Sequence, residues 1–207
     1  MTRVKICGIT NHQDAALAVS LGVDALGFIF AQSPRRIAPE KARRIISILP
    51  PFVTTVGVFV DERPETIREI MLFCGIDLVQ LHGDESPDVC EGLMPRTIKG
   101  FRIRDRSDME SVTPYKGKIR AILLDTYERG KRGGTGETFD WDLVVKEKDA
   151  GVPIILAGGL TPANIVDAIS TVTPYAVDVN SGIEERPGEK DHILMKDLMG
   201  NIRKAGF

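Results

Sequence analysis

Apolar residues along the chain follow two rhythms. Short aliphatic or β-branched runs occur at 4–8 (VKICG), 25–30 (ALGFIF), 55–60 (TVGVFV), 78–83 (LVQLHG), 97–103 (TIKGFRI), 121–125 (AILLD), 153–159 (PIILAGG) and 176–182 (AVDVNSG), and each reads as a strand. Between them, apolar residues return at i, i+3, i+4 and i+7, as in PEKARRIISIL (39–49) and PETIREIMLFCG (64–75), the spacing of one helix face. Pro39, Pro64 and Pro162 stand where first-turn prolines are tolerated, with Ser33, Asp61 and Thr161 nearby as turn or cap residues. The last segment places Ile193, Leu194, Leu198 and Ile202 on one stripe and closes the series with an eighth helix.

Strand starts run from residue 4 to residue 176, a mean repeat of about 25 residues, the size of a compact strand-loop-helix unit. Strict alternation of strand and helix implies a parallel sheet with helices outside, and eight units is the number that closes a (β/α)8 TIM barrel. The expectation is a single α/β barrel domain over residues 1–207. An open doubly wound sheet is the alternative, but it usually carries a Gly-rich phosphate turn after its first strand, and CGITNHQD is not GxGxxG. The long Gly-rich, charged stretch 126–139 after the sixth strand is expected to be a functional loop.

Side chains alternate across a strand, so the parity that buries apolar residues against the helices also names those facing the lumen. With Val4 and Ile6 outward, Lys5 and Cys7 point inward, as do Gln80 and His82, Asp125, and Asp178 and Asn180 on their own strands. Cys7, His82, Asp125 and Asn180 fall at or near the C-terminal strand ends, the rim where barrel enzymes build their sites. Each has a structural alternative. Cys7 alone would pass for a small core residue, Lys5 for a buried charge tied to Asp178, and His82 for a satisfied core histidine. Asp125, a carboxylate closing an apolar run, needs a partner or a purpose, because burying a charge is costly.

The turns AGGLTPANI and NSGIEERPG follow the last two strands, where this barrel class holds phosphate on backbone N–H groups and a helix N-terminus. Thr161 with Pro162 is the expected helix start beside them. Arg35 and Arg36 of SPRRI lie near the same rim, and either guanidinium suits a carboxylate.

Composition narrows the function classes. Lys and Arg number 27 against 29 Asp and Glu, a net charge of −2, so no global positive field recruits nucleic acid or an anionic membrane. No apolar run approaches the roughly 18 residues of a membrane span, and MTR leads directly into the first strand, so a cytoplasmic protein is expected. Cys7, Cys74 and Cys90 lack CxxC or metal-ligand spacing and are expected to be free thiols. A phosphorylated small molecule is the expected partner of a monomer or homodimer.

KICGIT, GFIF..SPR, VGVFV, VQLHG, LLD followed by GGTGETFDW, AGGL.P.N and DVNSGIE..PG.KD occur in this order over nearly the whole chain. The sequence closely resembles the phosphoribosylanthranilate isomerase family of tryptophan biosynthesis, aldose-ketose isomerases that use neither metal nor cofactor. The resemblance implies an Amadori rearrangement of N-(5-phosphoribosyl)anthranilate to the 1-deoxyribulose phosphate, with Cys7 as general base and Asp125 as general acid. It also implies Arg35 at the anthranilate carboxylate, Asp178 beside the ribose hydroxyls, and Gly159, Ser181 and Gly182 in the phosphate turns, while His82 is expected at the substrate from its inward place at a strand end. Two competitors remain: a barrel isomerase of an aminoimidazole carboxamide ribotide, which would usually use a carboxylate pair, and a non-catalytic sugar-phosphate-binding barrel. Because proton transfer alone suffices for this chemistry, turnover measured by loss of anthranilate fluorescence should persist in EDTA. Loss on chelation, restored by a divalent ion, would refute metal independence.

Overall fold

The computed structural model describes residues 2–103, 106–125, 141 and 151–206. The Gly-rich stretch 126–139 expected to form a functional loop lies outside the described residues. Eight parallel strands, β1 (Arg3–Ile6), β2 (Ala25–Ile29), β3 (Thr54–Phe59), β4 (Leu78–Leu81), β5 (Thr97–Arg102), β6 (Ala121–Asp125), β7 (Ile154–Ala157) and β8 (Ala176–Val179), follow one another in sequence order and close when β8 pairs with β1. This is the (β/α)8 barrel that the repeat implies.

Around it the described residues form helices α1 (His12–Ser20), α2 (Pro39–Ile46), α3 (Pro64–Cys74), α4 (Pro87–Glu91), α5 (Ile165–Val172) and α6 (His192–Lys204). Asn11 caps α1 by accepting the Asp14 amide at 2.8 Å, and Asp191 caps α6 by accepting from Ile193 and Leu194. Pro39 and Pro64 open their helices as expected. Pro162 does not. Asn164 accepts the Thr161 amide at 2.8 Å and donates to the Gly159 carbonyl at 3.0 Å, closing a turn first, so α5 begins only at Ile165. The stripe of α6 is also shifted: Met195, Leu198, Met199 and Ile202 are buried, whereas Ile193, beside the cap, is exposed.

Alternation is less strict than the sequence suggests. The segment after β5 is a 3-10 helix (Arg106–Tyr115), whose Pro114 and local Ser111-to-Asp108 hydrogen bond disfavour a regular α-helix. After β8 come a 3-10 turn (Ser181–Ile183) and a small antiparallel hairpin of β9 (Glu184–Arg186) and β10 (Glu189–Lys190), and only then α6.

Strand parity sorts the barrel into two cores. Val4, Ile6, Leu26, Phe28, Val79, Leu81, Ile122, Leu124, Leu156, Val177 and Val179 pack outward against the helices. Val56, Ile98, Ala121, Leu123, Ile155, Ala157 and Ala176 fill the inside. Above that plug the inward residues turn polar. Two inward glycines make room for them: a Cβ at Gly27 would lie 2.7 Å from Cys7 Sγ, and one at Gly100 would lie 2.6 Å from His82 Nδ1. Removing a ring from the outer layer opens a cavity that the barrel and its helices cannot both relax into. Phe28→Ala should therefore cost about 3–5 kcal/mol in urea unfolding; a cost below about 1 kcal/mol would show this layer to be loosely packed.

Candidate active site

The eight residues to which the family resemblance or strand parity assigns a site role, Cys7, Arg35, His82, Asp125, Asp178, Gly159, Ser181 and Gly182, line one cavity of about 530 Å³ at the C-terminal mouth of the barrel. Arg36 is exposed and does not line it, which separates the two arginines of SPRRI.

Lys5 and Asp178 are register partners where β1 meets β8, and their side chains pair at 2.7 Å, both almost fully buried. Burial by itself would lower the Lys5 pKa, but Asp178 and Cys7 outweigh it and the lysine is held above its ordinary value. Asp178 Oδ1 is buried without a hydrogen-bond partner among the described residues, as is Gln80 Oε1. Both are acceptors in residues that line the mouth.

A neighbouring cation lowers a thiol's pKa, and Lys5 alone would draw Cys7 towards thiolate. The opposite holds in the ligand-free protein. Burial pushes the Cys7 thiol up; Lys5 pulls it down, Asp178 pushes it up again, and Lys190 pulls it down, with a net rise. The reason is that Lys5 is already neutralised by Asp178, so its charge does not offset the desolvation of a thiolate.

On the opposite wall, His82 Nε2 stands 3.5 Å from Asp125 Oδ2. The Gln80 amide nitrogen lies 3.1 Å from His82 Nδ1, and donation there makes Nδ1 an acceptor and leaves the ring proton on Nε2, facing Asp125. Arg102 joins the mouth from the end of β5, in register with Asp125. Carrying the alternation of Ile98 and Gly100 onward along TIKGFRI would have found it.

Gly158 and Gly159 both have positive φ, +91° and +60°, a backbone that side chains disfavour, and a Cβ at Gly159 would meet nothing within 4 Å. Gly182 packs so tightly that a Cβ there would come 1.9 Å from the Leu160 carbonyl oxygen, so the turns after β7 and β8 lie directly against each other. Such paired turns present backbone donors to an anion.

The family profile described as N-(5'phosphoribosyl)anthranilate (PRA) isomerase matches residues 4–201. The chain belongs to this family. Among curated relatives of the N-(5'-phosphoribosyl)anthranilate isomerase family, that of Moorella thermoacetica is 51% identical over 205 residues, covering 99% of this chain and 91% of the relative. The crystal structure of phosphoribosyl anthranilate isomerase from Thermotoga maritima superposes with a TM-score of 0.92 at 45% identity, covering 99% of this chain and 100% of the other. A further crystal structure of a phosphoribosyl anthranilate isomerase, in complex with reduced 1-(o-carboxyphenylamino)-1-deoxyribulose 5-phosphate, has a TM-score of 0.89 at 43% identity with the same coverage.

The raised Cys7 pKa makes a prediction about this isomerase fold before ligand enters. A thiol pushed above its ordinary value of about 8.5 is protonated at neutral pH and ionises as pH rises. Iodoacetamide alkylation of Cys7, followed by peptide mass with Cys7→Ser as control, should be slow near pH 7 and keep accelerating beyond about pH 9. A plateau below about pH 8 would mean that the lysines win.

Proposed function

We propose that this chain catalyses the Amadori rearrangement of N-(5'-phosphoribosyl)anthranilate in tryptophan biosynthesis, with Cys7 as general base and Asp125 as general acid. The isomerase activity is that of its family. The assignment of roles is supported above all by one feature: a thiol on β1 and a carboxylate on β6 line the same mouth, beside paired glycine turns.

In this reading the phosphate lies on the Gly159 and Ser181–Gly182 turns, the ribose hydroxyls face the unpartnered Asp178 Oδ1, and the anthranilate carboxylate meets Arg35. Asp125 delivers a proton to the furanose oxygen; the C1–O bond breaks and the anthranilate nitrogen becomes a protonated imine. That cation acidifies C2–H, and Cys7 removes the proton to leave an enolamine, which relaxes to the ketone. His82 Nε2, close to Asp125, stabilises the carboxylate that forms as the proton leaves. A buried thiol that is reluctant to ionise is, once ionised, a correspondingly strong base.

The working unit is a cytoplasmic single-domain barrel spanning residues 1–207, monomeric or homodimeric, with a phosphorylated small molecule as its ligand and no role for nucleic acid, membrane or cofactor. One related crystal structure is of monomers generated from the dimeric enzyme of Thermotoga maritima, and no helix among the described residues is long and apolar enough to cross a membrane.

Cys7→Ser and Asp125→Asn should each lower kcat by about two to four orders of magnitude, with affinity for the reduced product analogue changed only a few-fold. Serine is the finer test, since a core thiol would tolerate it with little kinetic effect. A fully active Cys7→Ser enzyme would return Cys7 to the core and sink the mechanism.

A further inference from the structure

Two charged residues behind the mouth, Glu184 and Lys190, stand in DVNSGIE..PG.KD without a role read from the sequence. Both sit on the β9–β10 hairpin, which strand parity does not reach. The Glu184 side chain is buried and clasps Arg35: its Oε1 and Oε2 accept from Nε at 3.0 and 2.9 Å, and Oε2 also accepts from Nη2 at 2.7 Å. Lys190 Nζ, fully buried, donates to Glu184 Oε1 at 3.0 Å, to Asn180 Oδ1 at 2.9 Å and to the Asn180 carbonyl at 3.2 Å. The Gly188 amide donates to Glu184 Oε1 at 3.2 Å, and Thr10 Oγ1 donates to the Gly188 carbonyl. The hairpin is pinned in turn to α1, where Asp14 accepts the Lys190 amide at 2.9 Å.

We propose that Glu184, held by Lys190, is a positioning residue that aims Arg35 at the aryl carboxylate of the substrate and so sets specificity for an ortho-carboxylated arylamine. The proposal rests on the reading of Arg35 as the carboxylate contact. A guanidinium has five N–H groups in a planar fork. Glu184 occupies the Nε/Nη2 edge, so only the Nη1/Nη2 edge is left to offer a second parallel pair of donors. The arm that carries it crosses the backbone beside Cys7: a Cβ at Gly8 would lie 3.2 Å from Arg35 Cδ and 2.7 Å from Asn180 Oδ1. The guanidinium is thereby placed and turned before substrate arrives, removing an ordering cost from binding.

The charges agree. Burial holds the Lys190 pKa below its ordinary value against the pull of Glu184; with the ammonium charged, Arg35 and Lys190 against Glu184 leave one surplus positive charge, which one substrate carboxylate neutralises. Burial would raise the Glu184 pKa, but Arg35 and Lys190 more than offset it and hold it below its ordinary value, so the clasp is ionised.

Position and charge predict opposite signs, which makes the idea testable. If Glu184 acted through charge alone, neutralising it would strengthen binding of an anionic ligand. If it positions Arg35, neutralising it weakens that binding. The test measures Kd by calorimetry for reduced 1-(o-carboxyphenylamino)-1-deoxyribulose 5-phosphate and for its phenylamino counterpart without the carboxylate, using wild type, Arg35→Lys, Glu184→Gln and Glu184→Asp. In Glu184→Gln the preference for the carboxylated ligand should fall roughly tenfold, the scale of one hydrogen bond to a charged group, with the des-carboxy ligand unchanged. Glu184→Asp keeps the charge but withdraws it by a methylene, and should lose preference in the same direction. KM for the substrate should rise in both while kcat is largely retained. If Arg35→Lys leaves the preference intact, the reading of Arg35 fails. If Arg35→Lys abolishes it but Glu184→Gln leaves it unchanged or tightens the carboxylated ligand, the positioning role is overturned. Equal weakening of both ligands would make Glu184 a structural residue and overturn it as well.

Discussion

The barrel closes where its first and last strands meet, and the buried Lys5–Asp178 pair bridges that seam at 2.7 Å. Two charges removed from water gain little net stability from each other, but removing one partner leaves the other stranded at a cost of about 3–5 kcal/mol. The pair therefore acts as a constraint on register more than as a source of stability. A slip of one residue along β1 would send Lys5 into the helix layer and Ile6 into the lumen. With the seam held, Cys7 comes to the rim one turn of the alternation above Lys5, and Asn180 one above Asp178.

The same pair decides the electrostatics of the thiol. Because Asp178 satisfies Lys5, burial prevails at Cys7 and the thiol stays protonated in the free protein. Across the mouth, the Gln80–His82 contact fixes which imidazole nitrogen faces Asp125. The Arg35–Glu184–Lys190 cluster leaves one positive charge in excess. The mouth thus combines a reluctant thiol, a partly solvated carboxylate and an anion-seeking arginine, a combination suited to moving protons on an anionic substrate and of little use to a structural barrel.

Much of this was legible in the chain because a barrel strand imposes a period of two. Once Val4, Val79, Ile122 and Val177 are assigned outward, Cys7, His82, Asp125 and Asp178 have no other place to go, and the apolar plug and the paired glycine turns follow from the same pattern. Where the local period broke down, so did the reading. Thr161–Pro162 looks like a helix start, yet Asn164 closes a turn first; Ile193 fits the stripe by spacing, yet the Asp191 cap leaves it in solvent.

By itself, then, the sequence determined the eight-unit repeat, the parity of each strand, the identity of the inward polar residues and the family to which the chain belongs, because these are properties of local spacing and of ordered motifs. Only the tertiary structure decided that Glu184 and Lys190 stand behind Arg35 and that Cys7 is pushed up rather than down. Those outcomes depend on which charges become neighbours across some 150 residues of chain and on how much water is left around them, as in the contact of Arg35 with Glu184 at |i−j| = 149. No local pattern carries that information, since the energy of a buried charge is set by its surroundings in space.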